Sequence, residues 1–334
     1  MANSILSTAP PVPTSPSARA ILTATLTRQT LGRVTGLIPM NAGGVRVARV
    51  LVAGIMRTLG PTQAGTQVIP VAVDGVRGEW VLAPAVKFGA RAIYYVHGSA
   101  YVICSAQTHR GLAARLSAVT EKPVFVVDYR LAPEHPFPAA ADDVERGYRW
   151  LLSEGYAASD VVIAGDSAGG HLICDLLGNT NIAPDLNPAA AVLLSPLIDL
   201  TLALAENCER KHRDPAISAS AARRLVDLYT RRQSPHHPRL RLNFSQARLM
   251  PPFLVQVGST EMLADDAHYV VDEVNRHGGS ATLEVWPGMM HVFQALPRLG
   301  PDADAALLRV RDFIRAAFDA VDNQSADQLT EECS

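Results

Sequence analysis

The chain has 334 residues, is 48% hydrophobic and carries a formal charge of −2 with its histidines neutral. That length buries a large core, enough for one α/β domain with an insertion. A near-zero balance without runs of like charge gives no electrostatic case for nucleic acid or an anionic membrane as partner. The four cysteines, Cys104, Cys174, Cys208 and Cys333, form no C-x-x-C pair and no metal spacing, which points to free thiols in a reducing compartment. The N-terminus lacks the basic and apolar regions of a secretory signal. No stretch reaches the ~18 unbroken apolar residues of a membrane span. A cytoplasmic location is therefore expected.

Residues 1 to about 16 are rich in Ser, Pro and Ala and are expected to be loose. Spaced apolar residues predict helices over Ala18–Leu31 and Val45–Leu59, ending near Gly32 and Gly60. Val68–Asp74 and Gly78–Ala83 read as strands of a hairpin turning at Asp74-Gly75. Further strands follow at Arg91–Val96, Val124–Asp128, Val161–Ala164, Ala190–Ser195, Phe253–Val257 and Thr282–Trp286. Helical stretches separate most of them: Thr108–Val119, Ala139–Ser153, Ala168–Leu177 with a stop at Gly178-Asn179, Leu263–His277 and Asp302–Ala320. This alternation implies a mostly parallel sheet covered on both faces, with an antiparallel leading edge.

The rhythm breaks over about 200–250, a polar, Arg-rich insertion with one predicted helix, Ser220–Arg231, and the run Ser234-Pro235-His236-His237-Pro238. An insertion at the carboxyl end of a parallel sheet lies over the ligand crevice and reads as a lid. His236-His237 lacks carboxylate or cysteine neighbours at ligand spacing, so a solvated pair is expected rather than a metal site. The domain plan is N-terminal cap helices over 1–60, a core over 61–200 and 246–321, a cap insertion over 201–245 and a flexible tail over 322–334.

Gly165-Asp166-Ser167-Ala168-Gly169 sits between a predicted buried strand and a predicted helix. A G-x-S-x-G in that context holds the serine on a sharp turn with its hydroxyl exposed above the sheet. The N–H of Ala168 is then placed to stabilise an oxyanion. A nucleophilic serine needs a base, and His291 follows the last strand after Pro287-Gly288. His171 is the rival, but it lies one helical turn behind the nucleophile and reads as a plug between helix and sheet. The orienting acid is expected past Phe253–Val257, at Glu261. Asp265 and Asp266 fall in the first turn of the next helix, where capping accounts for them. The order Ser167, Glu261, His291 is that of α/β-hydrolases. His97-Gly98-Ser99-Ala100, after the third strand, offers close backbone N–H groups for an oxyanion hole.

These motifs resemble the bacterial hormone-sensitive-lipase-like carboxylesterases, in their GDSAGG branch. Gly165 to Gly170 carries that signature, and Asp128-Tyr129-Arg130-Leu131-Ala132-Pro133-Glu134-His135-Pro136 matches a second family motif. The resemblance spans about 65–320. It implies an eight-stranded α/β-hydrolase fold, a lid from the N-terminal helices plus an insertion, and cofactor-free hydrolysis of short-acyl esters. Ser167, Glu261 and His291 would be catalytic, Gly98, Ser99, Ala100 and Ala168 would form the oxyanion hole, and His97 and Asp166 would support the motifs. Two departures stand out. The family's His-Gly-Gly-Gly is His97-Gly98-Ser99-Ala100 here, which brings strain if positions 99 or 100 need positive φ. Its Asp-Pro-Leu is Glu261-Met262-Leu263, while Asp265 matches a second family aspartate outside the triad.

The expected partner is a small-molecule ester, with a homodimer left open and no cofactor, metal or nucleic acid. A catalytically inactive binding protein on the same fold is the alternative. A nucleotide-binding doubly wound protein fails, because no G-x-G-x-x-G follows the first parallel strand.

Overall fold

The computed structural model describes residues 8–29, 42–178, 186–211, 214–231, 233–234 and 236–332. Readings that touch residues 1–7, Leu31, Gly32, Asn179, Pro235 and Cys333 lie outside them. Eight strands form one sheet in the order β1-β2-β4-β3-β5-β6-β7-β8. The hairpin β1 (Gln67–Val73) and β2 (Val76–Leu82) is antiparallel, and β2 pairs antiparallel with β4 (Val124–Val127). From β4 onward all pairs are parallel: β3 (Ala92–Val96), β5 (Val161–Asp166), β6 (Ala190–Leu194), β7 (Phe253–Gly258) and β8 (Ala281–Trp286). The short apolar runs of β3 to β7 are buried along their whole length. That is the signature of parallel strands covered on both faces.

Alternation along each strand divides the core. Tyr94, Phe125 and Ile163 face one side, packed by α4 (Ala139–Ser153), α5 (Ala168–Gly178) and α8 (Ala264–Arg276). Ile93, Tyr95, Val126 and Val162 face the other, packed by α3 (Ala106–Thr120) and α9 (Asp302–Glu332). The charge buried near the antiparallel edge is paired: Arg110 on α3 donates from Nε and Nη2 to Glu79 on β2 at 2.6 and 2.7 Å. A lone buried carboxylate would be costly, and the two-pronged guanidinium satisfies it.

Among the described residues two helices precede the sheet, α1 (Ala18–Gln29) and α2 (Ala42–Leu59), and the insertion after β6 carries α6 (Ala203–Lys211) and α7 (Ala219–Thr230). Sequence reading passed over α6. Its signal is Asp199, four residues ahead of the helix, whose Oδ2 accepts from the N–H groups of Ala203 and Leu204 at 2.9 and 3.2 Å, donors that have no acceptor within the helix. The leading segment is not loose over 8–16: Ala9 N–H donates to Asp312 on α9 at 2.8 Å and Arg309 holds the Pro10 carbonyl at 3.2 Å. The last helix is longer than the Asp302–Ala320 read from the sequence. No Gly or Pro stops α9 after Ala320, and the helix runs on to Glu332. Arg91 anchors its middle, 4.4 Å from the Phe318 ring centroid and hydrogen-bonded to Asp322.

The carboxyl end of α2 is seated by two glycines. A Cβ at Gly111 in α3 would lie 1.9 Å from the Gly60 carbonyl oxygen, and one at Gly60 would lie 2.1 Å from that of Ala295. Replacing an interior helical glycine by alanine ordinarily stabilises by about 1 kcal/mol. Here Gly111→Ala should instead destabilise by about 1–3 kcal/mol, because backbone must move. A lowered denaturant midpoint with unchanged m-value checks this, and a raised midpoint would overturn the packing account.

Candidate active site

Five loops meet at the carboxyl ends of the adjacent strands β3, β5, β6, β7 and β8. Ser167 follows the central β5 directly, and α5 begins at Ala168. The turn is sharp enough to hold Ser167 at φ 50°. Glycines make it possible. A Cβ at Gly165 or Gly169 would fall 2.5 or 2.0 Å from the Val96 carbonyl oxygen on neighbouring β3. Ser167 N–H donates to Leu194 O at 3.0 Å, fastening the turn to β6.

His291 hangs from the loop after β8 and reaches back across the sheet. Its Nε2 lies 3.1 Å from Ser167 Oγ and its Nδ1 lies 2.8 Å from Glu261 Oε2. A carboxylate accepts only, so Nδ1 carries the proton and Nε2 is free to accept from the serine hydroxyl. Burial by itself would lower the pKa of His291. The hydrogen bond and charge of Glu261, with Asp214 and Asp166 behind it, raise it above the ordinary 6.5. Glu261 is fully buried just past β7, and its Oε1 accepts from Gly258 N–H at 2.5 Å and from Ser195 Oγ at 2.8 Å. The loops that carry Glu261 and His291 are stitched together: Thr260 Oγ1 donates to Met289 O at 2.7 Å and Gly288 N–H to Ser259 Oγ at 2.9 Å.

The sequence rivals fall elsewhere. His171 is buried between the ring of Tyr101 and the insertion, its Nε2 3.3 Å from Leu240 O, and burial drives its pKa down to about 4. Asp265 accepts from Asn207 and Lys211 at 2.8 and 3.2 Å. Asp266 does more than favour a helix terminus: its Oδ1 accepts from the N–H groups of Ile198 and Asp199, both at 2.8 Å, tying down the chain after β6. Of the histidine pair, His236 is exposed, while His237 packs edge-on to Phe137 at 4.8 Å and accepts from Arg239 N–H. Among the described residues no cluster of three or more His, Cys, Asp or Glu is placed to hold a metal ion.

The segment after β3 departs from expectation at one position. Gly98 N–H donates inward to Asp166 Oδ1 at 3.1 Å, so it is not free for a substrate oxygen. Gly98 serves by lacking a side chain: a Cβ there would lie 2.2 Å from Asp166 Oδ2 and 2.9 Å from Ser167 Cβ. Among the described residues, the N–H groups of Ser99, Ala100 and Ala168 meet no protein acceptor. Ser99 and Ala100 line the cavity beside Ser167. Ser99, Ala100 and Tyr101 stand at φ 80°, 52° and 66°, so the positive-φ condition on the altered motif is met at both substituted positions. Asp166 is buried, accepts from Tyr95 OH at 2.8 Å and lies 3.3 Å from His109 Nε2. Burial opposes its charge, yet His109 and Tyr95 hold its pKa below the ordinary value. The second motif braces the same turn. Tyr129 stacks on His97 at 4.1 Å and donates to the His97 carbonyl at 2.7 Å, and Asp128 Oδ1 accepts from Ala106 N–H, at the start of α3.

A cavity of about 250 Å³ opens at Ser167 and His291. Leu51, Val52 and Ile55 of α2 wall one side, and Ile217, Ala222 and Leu225 of the insertion the other. Asp214 joins that insertion to the Glu261 loop, accepting from Ala216 N–H at 2.7 Å and from Met262 N–H at 2.9 Å. Sequence reading missed both Asp214 and Ser195. The one usable signal was Ser195 itself, a hydroxyl closing the wholly apolar run Ala190–Leu194.

A family model described as the alpha/beta hydrolase fold matches residues 93–295. An acetyl-hydrolase of Streptomyces hygroscopicus is 36% identical over 247 residues, covering 74% of this chain and 82% of its own. A carboxylesterase/phospholipase of Mycobacterium tuberculosis is 32% identical over 303 residues, 86% of this chain and 77% of its own. The crystal structure of an esterase from the bacterial hormone-sensitive lipase family superposes with a TM-score of 0.80 at 31% identity, covering 91% of this chain and 99% of that one. With this fold, these motifs and these relatives, the chain belongs to the bacterial hormone-sensitive-lipase-like carboxylesterases.

Proposed function

We propose that the protein is a serine carboxylesterase for short-acyl, apolar esters, with Ser167 as nucleophile, His291 as base and Glu261 as orienting acid. The observation that carries this is the unbroken relay from Ser167 Oγ through His291 to Glu261, at 3.1 and 2.8 Å. Ser167 Oγ attacks the ester carbonyl carbon while His291 Nε2 takes its proton. The oxyanion is met by the N–H groups of Ser99, Ala100 and Ala168. Collapse expels the alcohol, which leaves with the proton from Nε2. A water molecule then repeats the sequence on the acyl-enzyme and releases the acid. Glu261 accepts the Nδ1–H throughout and stabilises the imidazolium. The inactive alternative lacks support, since nucleophile, base and acid are all within hydrogen-bonding reach.

Substrate size follows from the cavity. At about 250 Å³ it falls just below the ~300–1,000 Å³ of sites for drug-sized ligands. Its α2 and insertion walls are apolar, so α1, α2 and the insertion act as a cap that selects small uncharged esters and keeps water out. The three described cysteines are free, which fits the cytoplasmic location read from the sequence.

Ser167→Ala should lower kcat by roughly 10⁴–10⁶ and Glu261→Gln by ~10⁴, both with a near-parent melting temperature. Asp265→Asn should leave most turnover. Steady-state kinetics on p-nitrophenyl acetate decide it, and the reverse ranking of the two acids would sink the assignment. The pH profile has a fixed sign. The base works only when neutral and its pKa is raised, so kcat/KM should fall with acid through a limb lying above 6.5. A limb below that value would contradict the Glu261 pairing. Ile55→Trp should cut kcat/KM for p-nitrophenyl hexanoate more than for the acetate; equal losses would show that α2 sets no chain-length limit.

A further inference from the structure

We infer that Ser195 is a positioning residue whose hydroxyl holds the acid and the base-bearing turn at a fixed distance from each other; this rests on the reading of Glu261 and His291 given above. Ser195 follows β6, the strand between those that carry Ser167 and Glu261. It is fully buried. Its Oγ donates to Glu261 Oε1 at 2.8 Å and accepts from Val292 N–H at 3.0 Å. One hydroxyl thus bonds the acid on one side and, on the other, the residue next to His291. With Gly258 N–H also on Oε1, the carboxylate cannot rotate without breaking two hydrogen bonds, and Oε2 stays aimed at Nδ1. The backbone supports the arrangement: Ser195 stands at φ 50°, and its N–H donates to Gln256 O on β7 at 2.7 Å. Val292, also at positive φ, begins the single turn Phe293–Ala295, so its N–H has no intrahelical alternative.

The same aim governs the charge on the base, because the hydrogen bond and charge of Glu261 raise the His291 pKa against burial. Without the hydroxyl the carboxylate is free to turn from Nδ1, and that support weakens. The other carboxylates acting on His291 are Asp214, from the insertion, and Asp166, from the end of β5. Neither touches Ser195.

The experiment compares Ser195→Ala and Ser195→Gly, alone and combined with Glu261→Gln, using p-nitrophenyl acetate. Both single variants should lose roughly 10- to 100-fold in kcat with little change in KM, and the acid limb of kcat/KM should move to lower pH as the Glu261 support of the imidazolium weakens. Glycine accommodates φ 50° without strain, so equal losses in the two variants assign the effect to the hydroxyl, and the glycine variant carries the test if alanine does not fold. In the Glu261→Gln background the same change should cost little, because the carboxylate it positions is gone. Parent-like kcat in the Ser195 variants, an unmoved acid limb, or a full additive loss on top of Glu261→Gln would overturn the inference. If Glu261→Gln itself turns over normally, the acid assignment falls instead.

Discussion

The buried carboxylate of Asp166 is the constraint on which the site depends. It lies at the end of the central strand, beside Ser167, and accepts from Tyr95 OH on the neighbouring β3 and from Gly98 N–H just past that strand. An ionised group in that position is tolerable only when its lone pairs are filled. Filling them forces the segment after β3 to fold down onto the Ser167 turn. The glycines at 98, 165 and 169 are the steric side of the same requirement, since a side chain at any of them would separate the two strand ends. Ser167 and the segment that carries the N–H groups of Ser99 and Ala100 are therefore brought together by one satisfied charge and three missing Cβ atoms.

The other half of the site is assembled differently. Glu261 and His291, the proposed acid and base, sit on loops after β7 and β8, outward from the centre, and must be brought back over the sheet. Gly258 opens the way, as a Cβ there would strike the Met289 carbonyl oxygen at 2.2 Å. Ser259 and Thr260 then bond the two loops to each other. Short polar contacts between rigid strand ends do this work, so the geometry inherits the stiffness of the sheet.

Most of this was open to sequence reasoning because the chemistry is local. A strand, a sharp glycine turn and a helix announce Ser167, and eight strand segments follow from apolar runs. Glu261 and His291 could be reached because each lies within five residues of its strand end. What escaped is whatever depends on residues distant in sequence. That Gly98 N–H points to Asp166, 68 positions away, follows only from the packing of β3 against β5. Ser195 reads as the end of an apolar strand until Glu261 is folded beside it. The leading Ser/Pro/Ala segment looked unanchored because its partner, Asp312 on α9, lies 303 residues on. Helix α9 outran expectation because nothing in its sequence breaks it and Arg91 secures it from elsewhere.

The left-handed run at Ser99, Ala100 and Tyr101 has an energetic consequence for the rigidity of the oxyanion donors. An L-residue in that region costs ~1–2 kcal/mol, whereas glycine loses about 0.5–1 kcal/mol more conformational entropy than alanine on folding. The two terms nearly offset, leaving a net penalty of about 1 kcal/mol or less at each substituted position. In return, the serine and alanine have fewer alternative backbone wells than glycine. The N–H groups of Ser99 and Ala100, the proposed oxyanion donors, are therefore aimed by restriction of the chain before any ester arrives, and less ordering remains to be done as the negative charge develops.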